Sequence, residues 1–308
     1  MSVAESRRHH FVPKFLLRPW LRAEGGQFHL KGYSWDEHTL RLKSKDRGLD
    51  AFCWQLGLLS LRAHRLGRDA LERRFFGEID DKGAVARDLL VVRGQVALSR
   101  DQRVEFARLL LSLETRRPTV AATIRDHEQP IREGLDSDPE VLQAAAEAGL
   151  TEKPSEYFER WTGVTLHDRL FAGMIQKLTD NAQVGGVLVA AHWTVKRLDP
   201  RDGTLVLGDR PLVRFYGYDR PGGTWIWPLT PHAAFVAVND AANLNRIERS
   251  SSGKFLRWLN THSARQAERF VFSVDDRDER WLPKHLNRTG PPNRSRRAAS
   301  GPRSDMVE

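Results

Sequence analysis

Apolar residues along this chain change their spacing twice. Two short alternating runs, 28–33 and 39–43, flank the polar residues 36–38, which predicts a β-hairpin. From about residue 68 to residue 191 the apolar positions recur at helical spacing. After that, short β-rich runs alternate with turn residues, and these predict strands at 193–198, 204–207, 213–216, 224–227 and 233–238.

The clearest helix begins at Ser99. Ser99 and Gln102 have the spacing of a capping box, in which each side chain bonds the backbone N–H of the other residue. Its apolar face is predicted to comprise Val104, Phe106, Leu109, Leu110 and Leu113. Pro118 should end or kink this helix, because proline disfavours helical geometry in the preceding residue. A second helix is expected to begin at Pro139, and a longer helical stretch, 167–191, to break at Gly185.

Strands at both ends around a helical middle predict an α+β fold. We expect a single domain over residues 1–286, with the helical middle packed on a mixed or antiparallel sheet. That sheet would be built from the N-terminal hairpin and the C-terminal strands. Residues 287–308 are rich in Gly, Pro, Ser and Arg, so we predict a disordered basic tail there.

The net charge of +9 is concentrated at the two ends of the chain. Residues 1–22 carry five cationic side chains against one acidic one, and residues 284–308 carry six against two. Basic ends favour nucleic acid or another polyanion as partner, although solvated ends without a partner have the same composition. The single Cys53 excludes an internal disulfide, and no apolar run has the length of a membrane span. We therefore expect a cytoplasmic protein without a membrane partner.

The first polar signal is the histidine pair His9-His10 at the start of an apolar segment. An imidazole can bind a metal ion or act as a general base. Neighbouring side chains in an extended segment point to opposite sides, so we expect only one of the two to serve a given site. The alternative is a buried histidine bonded to the backbone. Arg18, in the same segment, is a candidate anion contact or a structural ion-pair partner.

Two further polar signals lie at the end of the Ser99 helix and near residue 209. Glu114 and Arg117 are three residues apart and can pair on one helix face. In a functional interpretation, Glu114 is a metal ligand or base, and Arg117 contacts a phosphate. Asp209 follows a β-rich run and is either a ligand or base, or a turn residue that bonds the nearby backbone. Arg210 is a further phosphate contact in this interpretation.

The order of these motifs resembles a bacterial family of unknown function, DUF4238. The matching motifs are His-His-x-Val-Pro-x-x-x-Leu-Arg at 9–18, the helix end at 114–118, the Asp-x-Pro-Leu turn at 209–212 and Pro-Leu-Thr-Pro at 228–231. The resemblance covers about residues 9–273 and implies no established activity. In that family the turn usually reads Ser-Asp-Asn-Pro, whereas this chain has Gly-Asp-Arg-Pro at 208–211.

Two functions are compatible with this sequence, and it leaves open whether the protein is an enzyme. Phosphate-loop, dinucleotide-binding, zincin and serine-hydrolase motifs are absent. The first hypothesis, which we rank ahead of the second, is a divalent-metal-assisted hydrolase of phosphate esters, a nuclease included, with a divalent metal ion as cofactor. The second is a non-catalytic binding module whose basic ends contact nucleic acid or another polyanion.

The enzyme hypothesis assigns each polar residue a role. Its catalytic residues are Glu114, Asp209 and His10. Its substrate contacts are Arg18, Arg117 and Arg210. Its metal ligands are His9, His10, Glu114 and Asp209, which must therefore meet in one cleft.

Overall fold

The computed structural model describes residues 8–36, 38–62 and 67–288. The predicted tail therefore lies outside the described residues from 289 onward, as does Glu37 at the tip of the predicted hairpin. The strands are β1 Arg8–His10, β2 Leu21–Glu24, β3 Gln27–Trp35, β4 Leu42–Arg47, β5 Trp54–Leu56, β6 His192–Arg197, β7 Leu207–Gly208, β8 Val213–Phe215, β9 Thr224–Thr230, β10 Ala233–Val238 and β11 Val271–Phe272.

The helices occupy the middle of the chain and the segment after β10. They are α1 Lys14–Leu17, α2 Gly77–Arg93, α3 Arg100–Thr115, α4 Pro118–Asp126, α5 Glu128–Ser137, α6 Pro139–Glu147, α7 Pro154–Thr162, α8 Leu166–Thr179, α9 Ala182–Ala190, α10 Ala241–Arg249, α11 Ser252–Gln266 and α12 Leu282–His285. A π-helix, Leu71–Phe76, leads into α2. Short 3₁₀ turns include Arg18–Trp20, Pro200–Asp202 and Asp276–Arg280.

All strand pairs in the described residues are antiparallel, and the strands form three sheets. The first has the order β2-β3-β11-β7, with β4 also paired to β3. The second has the order β6-β10-β9-β8, and the third consists of β1 and β5. The first sheet therefore joins the N-terminal hairpin to β7 and β11 from the C-terminal half of the chain.

The four-stranded sheet lies between two helical layers. On one face, the ring of Phe106 in α3 packs against Trp227 and Phe235, with centroid distances of 5.5 and 4.9 Å. On the other face, Val236 belongs to the same apolar cluster as Phe255 of α11. Both faces are covered, so every residue of β10 is buried.

The N-terminal segment belongs to the main core. The largest apolar cluster contains residues from Val12 to Phe272 and includes members of the first and second sheets. Trp20 is fully buried, and its indole N–H donates to the Leu205 carbonyl oxygen at 2.9 Å. The start of the chain is thus held against its C-terminal half by apolar packing and by a buried hydrogen bond.

The α+β class is confirmed, as is the capping box. Ser99 Oγ accepts the Gln102 N–H at 3.2 Å, and Gln102 Oε1 accepts the Ser99 N–H at 2.9 Å. The predicted hairpin forms as β3 and β4. It shares a sheet with β7 and β11, whereas β6, β8, β9 and β10 form a separate sheet.

Two local expectations are wrong. The stretch 167–191 breaks at residues 180–181, not at Gly185, because the Asn181 side chain accepts the Val184 N–H and caps α9. Val104 is 45% exposed, although the sequence pattern predicts it on the apolar face of α3. It lies two residues before Phe106, which is about 200° of rotation around a helix, and so points to a different side.

Helices α2 and α3 approach each other closely at Gly83. A Cβ atom at this position would lie 2.7 Å from Leu109 Cδ2 and 2.8 Å from Leu109 Cβ. We predict that Gly83→Ala lowers the free energy of unfolding by about 1–3 kcal/mol, because the added methyl overpacks the interface. Urea denaturation measures this effect.

The matched control is Gly134→Ala. Gly134 is also helical, but no atom of another described residue lies within 4 Å of the added methyl. That variant should gain about 0.5–1 kcal/mol from helix propensity alone. A stabilised Gly83→Ala variant would contradict the proposed close packing.

Candidate functional site

Asp209 directly follows β7 and is buried, with 3% of its surface exposed. Its carboxylate accepts three consecutive backbone N–H groups, from Glu268 at 2.8 Å, Arg269 at 2.8 Å and Phe270 at 3.0 Å. Burial raises the pKa of Asp209 to about 6, although these N–H groups favour its ionised form. Asp209 thus anchors the segment between α11 and β11.

Glu114, in the last turn of α3, lies among three arginines. Its Oε2 atom is 3.1 Å from Arg210 Nη2, 3.0 Å from Arg214 Nη2 and 3.6 Å from Arg117 Nη2. Burial alone would raise the pKa of Glu114, but the charges of the arginines outweigh it and lower that pKa to about 2. Glu114 is therefore ionised at neutral pH and joins α3 to the segment that leads into β8.

Arg117 extends these contacts toward Asp209. Its Nη1 atom is 2.6 Å from Glu268 Oε1, which also accepts the Thr119 hydroxyl at 3.1 Å. Since the Glu268 N–H binds Asp209, this residue links the two carboxylates. We call Glu114, Arg117, Arg210, Arg214 and Glu268 the arginine network. The structure thus brings together the predicted residues Glu114, Arg117 and Arg210, with Asp209 beside them.

His9 lies in another set of contacts and is fully buried. Its Nδ1 atom accepts the Leu59 N–H at 2.8 Å, so Nδ1 carries no proton. The proton must then be on Nε2, which donates to Asp69 Oδ1 at 3.1 Å. Both ring nitrogens are therefore engaged away from Glu114 and Asp209, and either would have to give up a hydrogen bond to bind a metal ion.

His10 points to the opposite side of β1 from His9 and is partly buried. Burial and the charge of Lys14 lower the pKa of His10, which favours a neutral imidazole. Its Nε2 atom is buried, and no described residue forms a hydrogen bond with it. Burial raises the pKa of Glu72, and the His10 backbone N–H opposes this rise. Arg18 is exposed, and no ion pair or hydrogen bond joins its side chain to another described residue.

Three charged residues of these networks were missed by sequence reasoning. Arg214 and Glu268 complete the arginine network, and Arg116 forms a separate pair with Asp80 at 2.7 and 3.0 Å while being 1% exposed. Arg214 alone had a usable signal, since a cation within a β-rich run marks a polar side of the strand. Nothing in the sequence distinguished Glu268 or Arg116 from exposed helix residues.

The four predicted metal ligands are divided among different surroundings. Glu114 is bound by arginines, Asp209 by backbone N–H groups, and His9 by Asp69 and Leu59. Across residues 8–36, 38–62 and 67–288, no group of three or more His, Cys, Asp or Glu side chains is arranged to hold a metal ion.

The family described as "Protein of unknown function (DUF4238)" matches residues 8–277. The chain belongs to the DUF4238 family. No curated protein and no solved structure matches it. The region matched to DUF4238 includes the arginine network and the contacts of His9.

This DUF4238 member also has a basic cleft where α10 meets α11. The cleft has a volume of about 550 Å³, and its cationic residues are Arg246, Arg249 and Lys254. The other lining residues are Ala242, Asn245 and Ser250. None of these lining residues is acidic. Among its described residues, this family member has no helix both long and apolar enough to cross a membrane.

The backbone contacts of Asp209 predict a large effect of Asp209→Asn. The amide nitrogen of asparagine would face at least one backbone N–H that now has an acceptor, and that donor would be left buried and unpaired. We expect a loss of about 1–3 kcal/mol in the free energy of unfolding, measured by urea denaturation. The control is Asp219→Asn, at an exposed position. Equal changes in the two variants would contradict this account.

Glu114 predicts a pH dependence of stability. Its folded-state pKa of about 2 lies below the ordinary value of 4.5, so its contribution is complete above about pH 4.5. That contribution is lost as the pH falls through the folded-state pKa, and is on the order of 3 kcal/mol. Glu114→Gln should therefore lower stability at pH 7, and its difference from the wild type should shrink toward pH 2.

Denaturation at several pH values measures this difference, with the exposed Glu156→Gln variant as control. A difference between wild type and Glu114→Gln that stays constant with pH would count against the arginines as the cause.

Proposed function

We propose that this protein is a non-catalytic nucleic-acid-binding module that contacts the phosphate backbone through its basic cleft. The observation that carries the proposal is the set of three cations, Arg246, Arg249 and Lys254, around one concave surface whose described lining contains no acidic residue. Cationic side chains that neutralise phosphates release counterions from the nucleic acid, and this release drives binding.

A fourth cation lies beneath the cleft. The Lys196 ammonium donates to the carbonyl oxygens of Ile247, Glu248 and Ser250, at 3.0, 2.8 and 2.6 Å. These carbonyls form the C-terminal end of α10, where a helix carries partial negative charge. Lys196 therefore offsets that negative charge beside the cleft. The Glu248 carboxylate lies on the same helix but is not part of the cleft lining.

Ion pairs in the N-terminal basic segment make the cleft a better candidate for the nucleic-acid contact than this end of the chain. Lys14 forms an ion pair with Asp50, and Arg22 pairs with Asp276 at 2.6 Å. Folding thus pairs two of the five cations of this segment with acidic residues. Most of the other basic end lies outside the described residues.

Metal-assisted phosphate-ester hydrolysis would require larger structural changes than nucleic-acid binding would. His9 would have to leave Asp69 or Leu59, and Asp209 would have to leave backbone N–H groups that hold the start of β11. A binding role requires no such rearrangement. For this reason we place binding ahead of hydrolysis.

The test measures the affinity of the full chain for a DNA or RNA duplex as a function of salt concentration. We predict that Arg246→Ala/Arg249→Ala weakens binding about tenfold or more. The slope of log K against log salt should fall in magnitude by about one for each phosphate that the variant no longer neutralises.

The matched control removes two cations elsewhere. Lys82 and Arg160 are exposed and pair with Glu78 and Glu152 at 2.7 and 2.5 Å. Lys82→Ala/Arg160→Ala changes the net charge equally and should leave the slope near that of the wild type. Equal losses of affinity in the two double variants, or no binding by the wild type, would refute the proposal.

A further inference from the structure

A second cavity lies between the Pro200–Asp202 turn, α11 and the Asp276–Arg280 turn with α12. Its volume is about 440 Å³. Its charged lining residues are Arg201, Arg257, Arg277, Asp202, Asp275 and Asp278. Three arginines and three aspartates balance one another, so this cavity differs from the basic cleft and does not favour a polyanion.

Part of the cavity wall is already satisfied by internal bonds. Asp278 accepts the Ser273 hydroxyl at 2.5 Å and the Trp281 indole N–H at 2.7 Å. Asp275 pairs with Arg277 at 2.6 Å. These contacts hold the Trp281 ring at one side of the cavity and leave Asp275 and Asp278 without need of a ligand.

Two other charged side chains, those of Asp202 and Arg257, lie close to each other beside the cavity. A Cβ atom on Gly253 would lie 3.4 Å from Arg257 Nη1 and 3.5 Å from Asp202 Oδ1, so both groups reach the same point. Yet neither Asp202 nor Arg257 makes an ion pair within the described part of the chain. A carboxylate and a guanidinium thus approach each other beside the cavity without closing into an ion pair.

Two buried polar atoms near them also have no partner. The Thr204 hydroxyl and His285 Nδ1 both line the cavity, are buried and make no hydrogen bond to any described residue. Burial, Arg265 and Lys284 lower the pKa of His285, so its imidazole is neutral at pH 7 and can donate or accept one bond. An unpaired buried polar group is costly, and a bound polar ligand would remove that cost.

We propose that this cavity binds a free α-amino acid. The ligand ammonium pairs with Asp202 and its carboxylate with Arg257, a planar guanidinium that matches carboxylate geometry. The Trp281 ring and Leu256 provide an apolar wall for the ligand side chain. Thr204 and His285 supply the remaining polar contacts. A zwitterion fits this lining because its two charges are opposite and adjacent.

The experiment screens the standard amino acids against the full chain by thermal shift and measures the affinity of each binder by calorimetry. We expect at least one to raise the Tm and to bind with a measurable Kd. Its N-acetyl derivative lacks the ammonium, and its amide lacks the carboxylate, so each should bind about tenfold more weakly or worse. Equal affinity for the parent and both derivatives would overturn the proposal, as would the failure of every amino acid to bind at millimolar concentration.

Two variants locate the site. Asp202→Asn and Arg257→Gln should each weaken amino-acid binding about tenfold or more, whereas Arg160→Gln, outside the cavity, should not. Because Asp202 and Arg257 are exposed, both variants should fold with a Tm close to that of the wild type. Amino-acid binding unchanged in both variants would refute the site. Neither variant should alter the salt dependence of duplex binding, so this test is independent of the proposed nucleic-acid interface.

Discussion

The buried carboxylate of Asp209 fixes how the two halves of the chain meet. It accepts three successive backbone N–H groups at the start of β11, and β11 pairs with β3 on one side and β7 on the other. The same turn presents Arg210 to Glu114, which places α3 against the four-stranded sheet. One short segment therefore sets the position of the N-terminal hairpin, the central helix and the last strand, and the polar residues around it act first as connectors.

Interactions between residues close in the sequence could be predicted from it, whereas contacts between distant residues could not. Ser99 and Gln102 interact over three residues, so their spacing was enough to predict the capping box. The partner atoms of His9 lie 50 and 60 residues away, and no spacing rule specifies them. A histidine that binds a metal ion and one that bridges a backbone N–H to an aspartate have the same sequence signature. The difference appears only when Leu59 and Asp69 are in place.

The distribution of charge on the surface also depends on long-range contacts that the sequence does not predict. A count of cations at the N-terminal end predicts a basic surface, but two of those five cations pair with Asp50 and Asp276 on folding. The composition of the α10–α11 junction does not stand out in the sequence. The turn between the two helices nevertheless brings its cations to one cleft. What a partner encounters is therefore set by how folding pairs and groups the charges, and only indirectly by where they lie in the chain.

The complete burial of β10 also bears on the order in which the molecule can assemble. Synthesis produces α3 before the strands of the four-stranded sheet, so the Phe106 side of that sheet has its cover as soon as β10 appears. The other side stays uncovered until Phe255 and Leu259 of α11 have been synthesised. During that interval an apolar sheet face is open to water, and a nascent or truncated chain ending before residue 252 would present it to other chains as a site of aggregation.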